Sequence, residues 1–401
     1  DFSKGIIQLG NVEDEGFSYE DHDFIPISEQ IPCWLIYTTP ETHKIIKDNL
    51  LESAMYSGLV KGVGPRYCPS IEDKIVRFSD KPRHQLFLEP ESYDTNSIYL
   101  QGFSTSMPID VQDKMVHSLP GLENAKILKY AYAIEYDALD PTQFDTSLMV
   151  KKYKGLFIAG QICGTSGYEE AAGLGLMAGI NAGQYIKKLP PFILNRDEAY
   201  IGVMIDDLIT KGTKEPYRLL SSRAEYRLLL RHDNADLRLT EYGYKLGLIS
   251  QSRYDEFVEK KKNIEVLLDY LKNNHFGRTS KVNDYLVELG YERLENGVTY
   301  EDILKRNNVT FSRLKEYMVD YPESIKLDSI GEKQLSILVK YAGYIKMQEA
   351  QVESFKKLEK KLIPDDVNYD DVKGIRIEAR QKLDAIRPIS IGQASRISGV
   401  S

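Results

Sequence analysis

Cys68 stands two residues after Arg66 and directly before Pro69. A thiol attacks as its thiolate, and both a nearby guanidinium and a helix N-terminus favour that form. Proline suits the first position of a helix, so this spacing predicts a helix opening at Pro69 with Cys68 as its cap. The same residues also fit an inert thiol, since cysteine is among the most buried residue types. Cys33, beside Trp34 in a predicted strand, reads as core, and Cys163 receives no catalytic role. The three cysteines share no metal-ligand spacing and form no closely spaced redox pair. No metal site is expected, and a plain disulfide reductase is excluded.

A second feature is a run of small residues. Gly155-Leu156-Phe157-Ile158-Ala159-Gly160 reads as a short buried strand that ends on glycine, and Gln161 to Tyr168 as a polar turn. The helix predicted from Glu169 to Gly183 then carries Ala171, Ala172, Gly173, Gly175, Ala178, Gly179, Ala182 and Gly183. Glycine costs about 1 kcal/mol relative to alanine inside a helix, so several together need a compensating close approach. A strand running into such a turn aims helix N–H groups at an anion or an electron-rich ring. Tight packing of helix on sheet, with no ligand, accounts for the spacing as well. No Gly-x-Gly-x-x-Gly string opens a dinucleotide fold ahead of this run.

A third feature is positive charge. Between Lys211 and Arg238 seven Lys/Arg face four acids, a local balance of +3 in a chain whose net charge is −8. Arg223, Arg227 and Arg231 are spaced by four and would share one face of a helix. Tyr217 and Tyr226 lie among them as candidate stacking surfaces for bases. A solvated face crossed by Arg–Glu pairs fits the same composition. From Lys373 to Arg396 six basic residues face two acids, a balance of +4.

The elements that position these residues change character along the chain. Cys33 to Tyr37 reads as a strand, Glu41 to Leu51 as a helix, and the runs from Gln85 to Glu135, such as Leu86-Phe87-Leu88 and Ala133-Ile134, as strands of a mixed sheet. After about Pro191 apolar residues recur at helical spacing. Leu335, Leu338, Ala342, Ile345, Val352, Phe355 and Leu362 mark one face of a long helix. The chain of 401 residues suffices for two or three domains. No stretch approaches the roughly 20 apolar residues of a membrane span. Cysteine usage suits a reducing compartment, and a cytoplasmic location is expected. Asp1 is not an initiating methionine, and both ends read as cut.

Longer strings carry a resemblance. Gly64-Pro-Arg-Tyr-Cys-Pro-Ser-Ile-Glu-Asp-Lys74, Gln85 to Glu91, Ala159-Gly-Gln161 with Gly167-Tyr-Glu-Glu-Ala-Ala172, Gly212 to Arg218 with Ser222 to Arg227, Asp233 to Arg238 and Gly392 to Gly399 are similar to the MnmG (GidA) family. The resemblance covers essentially the whole chain. It implies an α/β fold, with a Rossmann-type FAD-binding portion and a mixed-sheet insertion, followed by an all-α C-terminal region. The corresponding divisions are an insertion portion at 1–68, the returning half of the FAD domain at 69–190, a tRNA-binding helical region at 191–330 and a partner-binding helical domain at 331–401.

The same resemblance implies an FAD-dependent enzyme that adds a carboxymethylaminomethyl or aminomethyl group to C5 of the tRNA wobble uridine. NADH is its reductant and methylene-tetrahydrofolate its one-carbon donor. The GTPase MnmE is its partner, and the enzyme is a homodimer. Uridine C5 becomes nucleophilic once a thiolate adds at C6, which is the role implied for Cys68. Gln161, Gly160, Gly164, Gly167, Tyr168 and Glu169 correspond to flavin contacts. Gly64, Pro65, Arg66, Tyr67, Ser70 and Lys74 correspond to nicotinamide-cofactor contacts. Arg218, Arg223, Arg227 and Arg231 are the candidate tRNA contacts, and the basic end also serves MnmE. The rivals are a folate- and FAD-dependent tRNA uridine methyltransferase of the TrmFO kind and a non-catalytic tRNA- or partner-binding fragment.

Overall fold

The computed structural model describes residues 1–10, 18–19, 24–60, 69–322 and 324–400. The chain divides into two compact units. The first holds residues 1–138 with the short returns 165–167 and 214–218; the second holds 139–164, 168–213 and 219–401.

The first unit is built on a four-stranded sheet in which β1 (Ile6–Gln8), β2 (Cys33–Tyr37), β3 (Gln85–Pro90) and β4 (Ile98–Gln101) lie in chain order. Every pairing is antiparallel, with Leu35 opposite Phe87 and Leu88 opposite Leu100. The mixed sheet expected from sequence is therefore corrected to an antiparallel one. Each strand returns beside its predecessor, so no parallel crossover is needed. Alternation decides the faces: Ile36, Leu86 and Leu88 are buried while their neighbours are not. Ala133 and Ile134 lie in irregular chain outside the named strands.

Three helices complete this unit: α1 (Pro40–Asp48), α2 (Ile71–Arg77) and α3 (Ile109–His117). Helix α1 begins where Thr39 and Thr42 cap each other, hydroxyl to backbone N–H in both directions, with Pro40 first in the helix. Ile46, Ile71, Ile75, Val111 and Met115 then close over Leu86 and Leu88 as one apolar core.

The second unit is mainly helical. It contains α4 (Tyr168–Ile186), α5 (Tyr200–Lys211), α6 (Ala235–Lys245), α7 (Gln251–Asn273), α8 (Val282–Glu288), α9 (Tyr300–Leu304), α10 (Phe311–Leu314), α11 (Ser329–Lys340), α12 (Ala342–Glu359), α13 (Ile377–Ile386) and α14 (Ile391–Arg396). A two-stranded ladder, His275–Phe276 against Val298–Thr299, is its only named sheet among the described residues. Helices α7 to α11 enclose a large core, including Leu267, Leu271, Phe276, Ile303, Phe311 and Leu335.

The expected single helix through Leu335 to Leu362 is two helices, broken at Tyr341 (φ −107°, ψ 12°). Leu335 and Val339 face the large core, whereas α12 buries only Val352, so one straight rod cannot serve both surroundings. Tyr369, Leu383, Ala394 and Ile397 form a smaller C-terminal core. Among the described residues no helix is long and apolar enough to cross a membrane.

Candidate functional site

The segment Gly155 to Gly160 is not a buried strand. Gly155 and Leu156 are exposed, and among the described residues the only ladder contact is an isolated bridge from Phe157 to Met149. A strand is buried by neighbours on both edges, and among the described residues no parallel neighbour is paired here. Gly160 nevertheless takes φ 86° and ψ −158°, a conformation a side chain rarely allows, and a Cβ there would meet only open space. Gln161 to Cys163 form one short turn closed by Gly164 at φ 85°, where a Cβ would lie 2.7 Å from the Thr213 hydroxyl. Gln161 is exposed, so its side-chain amide is presented to solvent. Gly167, in the first unit, is buried.

Helix α4 forms as expected and begins at Tyr168, which is 91% exposed. Glu169 and Glu170 occupy its first turn, so this N-terminus repels a pyrophosphate. A Cβ added at Gly173 would lie 3.3 Å from Ile201, but one at Gly175, Gly179 or Gly183 would meet open space. That divides the small residues into a packed side and an open side. Gly160 and the open glycines of α4 leave unfilled space, and Gln161 is exposed, whereas the acids of the first turn disfavour a phosphate.

Cys68 with Gly64, Pro65, Arg66 and Tyr67 lies outside the described residues. The helix expected to open at Pro69 starts instead at Ile71, with the Ser70 hydroxyl accepting the Asp73 N–H at 3.2 Å. A serine oxygen satisfies a free N–H, which neither Cys68 nor Pro69 does as well. Glu72 and Asp73 follow in the first turn. Lys74 extends inward and donates to the Gly102 carbonyl at 2.9 Å. Cys163 is fully buried, and burial pushes its thiol up to about 11, in keeping with no reactive role. Cys33 is half-buried and also shifted upward, by burial and then by Glu89.

Arg223, Arg227 and Arg231 do not share a helix. Between α5 and α6 only Ser221–Arg223 and His232–Asn234 make short helical turns, and after the first the chain alternates: Ala224, Tyr226 and Leu230 are buried while Arg223, Glu225 and Arg227 are exposed. Val203 of α5 receives Ala224 and Leu230. The Arg223 carbonyl is taken by the Arg196 guanidinium at 3.2 Å, a partner a continuous helix would replace. Arg231 turns inward, bonding Asp233 at 3.1 Å, the Gln334 side chain at 3.0 Å and the Leu228 carbonyl. Tyr217 and Tyr226 are 4% and 8% exposed, so they are core and offer no face for base stacking. Arg218, in the first unit, is half-buried.

The basic C-terminal stretch is largely paired. Lys382 bonds Glu378 at 2.7 Å, Arg387 bonds Asp384 and the Val367 carbonyl, and Arg380 approaches Asp370 at 3.5 Å. Arg396 grips Asp206 with two bonds of 2.6 and 2.7 Å and also reaches Glu359. Lys373 and Arg376 remain at the surface.

Sequence reasoning missed the centre of this region. Arg196, 7% exposed, bonds Asp206 at 3.0 Å, Asp207 at 2.8 Å and Glu225 at 2.7 Å. A cavity of about 490 Å³ opens beside it, lined also by Val352, Phe355 and Arg396. The available signal was Asp206-Asp207 inside the otherwise apolar helix Tyr200 to Lys211, because buried carboxylates need a cation. Among the described residues no group of three or more His, Cys, Asp or Glu side chains could hold a metal.

Comparisons with known proteins follow the same layout. Residues 1–190 match the family model "Glucose inhibited division protein A". Residues 251–349 match the C-terminal helical domain, and residues 351–401 the C-terminal helical bundle, of "tRNA modifying enzyme MnmG/GidA". A protein of Caldicellulosiruptor saccharolyticus named "tRNA uridine 5-carboxymethylaminomethyl modification enzyme MnmG" is 55% identical over 404 residues, covering all of this chain. The protein of the same name from Bacillus subtilis is 54% identical over 404 residues, again across the full chain. The chain spans 63% of the length of each. The form II crystal structure of Aquifex aeolicus GidA superposes with a TM-score of 0.83 at 42% identity, covering 100% of this chain and 62% of that one. The form I crystal gives 0.78 at 47% identity, covering 93% and 58%. Three models of one family, relatives of this identity and a shared fold together place the chain in the MnmG/GidA family.

Proposed function

We propose that this chain serves the modification of tRNA uridine, adding a carboxymethylaminomethyl or aminomethyl group at C5 of the wobble base. The observation that carries this reading is its likeness, over its whole length and at 55% identity, to a protein named for that reaction. Because the chain covers 63% of that relative, the activity is assigned to the protein in which all its parts act together.

The chemistry asks for three things from these residues. A thiolate must add to C6 of uridine so that C5 becomes nucleophilic, and Cys68 is assigned that task. Flavin, when bound, supplies the redox step. Gly160, Gln161, Gly164 and Gly167 with Tyr168 and Glu169 are assigned to hold its ring. The open side of α4 and the exposed Gln161 amide support that assignment. NADH, met by Gly64 to Tyr67, Ser70 and Lys74, is assigned as reductant, and methylene-tetrahydrofolate as carbon donor. Ser70 and Lys74 are engaged within the fold, so their part would be to shape the segment around α2.

Arg223 and Arg227, exposed on the turn after α5, are assigned to tRNA phosphates, and Arg218 of the first unit is assigned to tRNA by itself. Arg231 supports that turn from inside through Asp233 and Gln334. MnmE is assigned as partner of the C-terminal bundle, and a cytoplasmic homodimer as the working form. The matched C-terminal helical models favour this reading over a TrmFO-like methyltransferase.

The test is nucleoside mass spectrometry on tRNA from cells lacking the gene, complemented by the normal protein or by Cys68→Ser. The reading expects the modified wobble nucleoside to return only with the normal protein. Its return with Cys68→Ser would refute the thiolate role. A colourless purified 401-residue chain that still binds tRNA would favour the non-catalytic fragment reading for this length.

A further inference from the structure

Arg223 and Arg227 sit on a segment closed locally at its two ends, by the Arg223 N–H on the Leu220 carbonyl at 2.9 Å and by the Leu230 N–H on the Tyr226 carbonyl at 3.0 Å. A residue from outside the turn braces its middle. The Arg196 guanidinium bonds both Glu225 oxygens, at 3.2 and 2.7 Å, and donates to the Arg223 carbonyl at 3.2 Å. Its remaining nitrogen is anchored on α5 by Asp206 at 3.0 Å, Asp207 at 2.8 Å and the Val203 carbonyl at 3.2 Å. Burial opposes the charge on Arg196, but the Glu225 hydrogen bond and the Asp207 and Asp206 carboxylates outweigh it, so its pKa stands raised. A planar fork pinned at one end to a helix leaves one position for whatever its other end holds.

The alternation of the turn gives this a second consequence. Glu225, its side chain 47% exposed, lies on the outward side between Arg223 and Arg227. An acid there opposes an approaching phosphate and competes for both arginines. Arg196 takes that carboxylate up from below.

We infer that Arg196 is a positioning residue for nucleic-acid binding, orienting the Arg223–Arg227 turn and neutralising Glu225 within it. This rests on the reading of that turn as a tRNA contact. Asp206 and Asp207 do not depend on Arg196 alone. Arg396 grips Asp206 at 2.6 Å, and Lys211 bonds Asp207 at 2.6 Å, so Arg196→Gln retains a cation for each acid.

The experiment measures binding of an unmodified tRNA transcript by the 401-residue chain across a salt series. Arg227→Ala is made alone, in Arg196→Gln and in Glu225→Gln. In the unaltered background it should weaken binding and lower the salt slope by about one. In either altered background its penalty should shrink by about threefold or more, because a misplaced arginine has less to lose. If Arg196→Gln fails to fold by circular dichroism, the Glu225→Gln pair carries the test. The same Arg227→Ala penalty in every folded background overturns the positioning role while leaving the turn a tRNA contact. No penalty even in the unaltered chain overturns both.

Discussion

At the scale of single residues, burial separates groups that sequence cannot tell apart. Cys163 sits in the turn assigned to flavin, yet its thiol is sealed and pushed up to about 11. We expect iodoacetamide at neutral pH to leave Cys163 unlabelled in the folded chain and to label it after denaturation, as read by peptide mass spectrometry. Rapid labelling in the folded state would contradict this burial. The arginines divide in the same way. Arg227 is exposed, whereas Arg231 is spent on Asp233, Gln334 and the Leu228 carbonyl. Arg231→Ala should therefore lower the thermal midpoint, while Arg227→Ala leaves it within about 0.5 kcal/mol in stability terms. Their equal spacing in the sequence carries no trace of that difference.

At the scale of elements, glycines of one helix type have opposite meanings. Gly175 and Gly179 on α4 have ordinary backbone angles and nothing within reach of an added Cβ. Alanine at each should stabilise the isolated chain by about 0.5–1 kcal/mol in urea unfolding. If a flavin ring lies against that face, the same variants lose flavin retention on purification. Gly202 on α5 is different: its Cβ would lie 2.4 Å from the Asn195 carbonyl and 2.5 Å from that of Leu194. Gly202→Ala should cost about 1–3 kcal/mol and displace the adjacent Arg196. Most element types were legible, among them β2, β3, α1 and α4. Element ends and partners were not. The cap at Ser70, the break at Tyr341 and the irregular Gly155–Gly160 segment each depend on what the chain packs against.

At the scale of the molecule, the second unit gathers charge around α5. Asp207 is 1% exposed as a side chain. Burial alone would raise its pKa, but Arg196 and Lys211 pull it below its usual 3.8. A carboxyl with a depressed folded pKa contributes stability above its unfolded pKa, which is lost as pH falls through the folded one. Urea midpoints should therefore hold at neutral pH and drop below about pH 4. Asp207→Asn should cost about 3–5 kcal/mol at neutral pH, since it leaves the buried Arg196 undercompensated, and should flatten the acid limb. An unchanged acid limb in that variant would remove Asp207 from the account. The family, the α/β-then-helical order and the small-residue helix were determined by the sequence itself, because long ordered strings and short-range periodicity survive without knowledge of contacts. The antiparallel order of the first sheet, the outward turn at Arg223 to Arg227 and the Arg196–Asp206–Arg396 cluster were decided only in the tertiary structure. Their partners stand as far as 190 residues apart along the chain, and the interactions that select them are long-range.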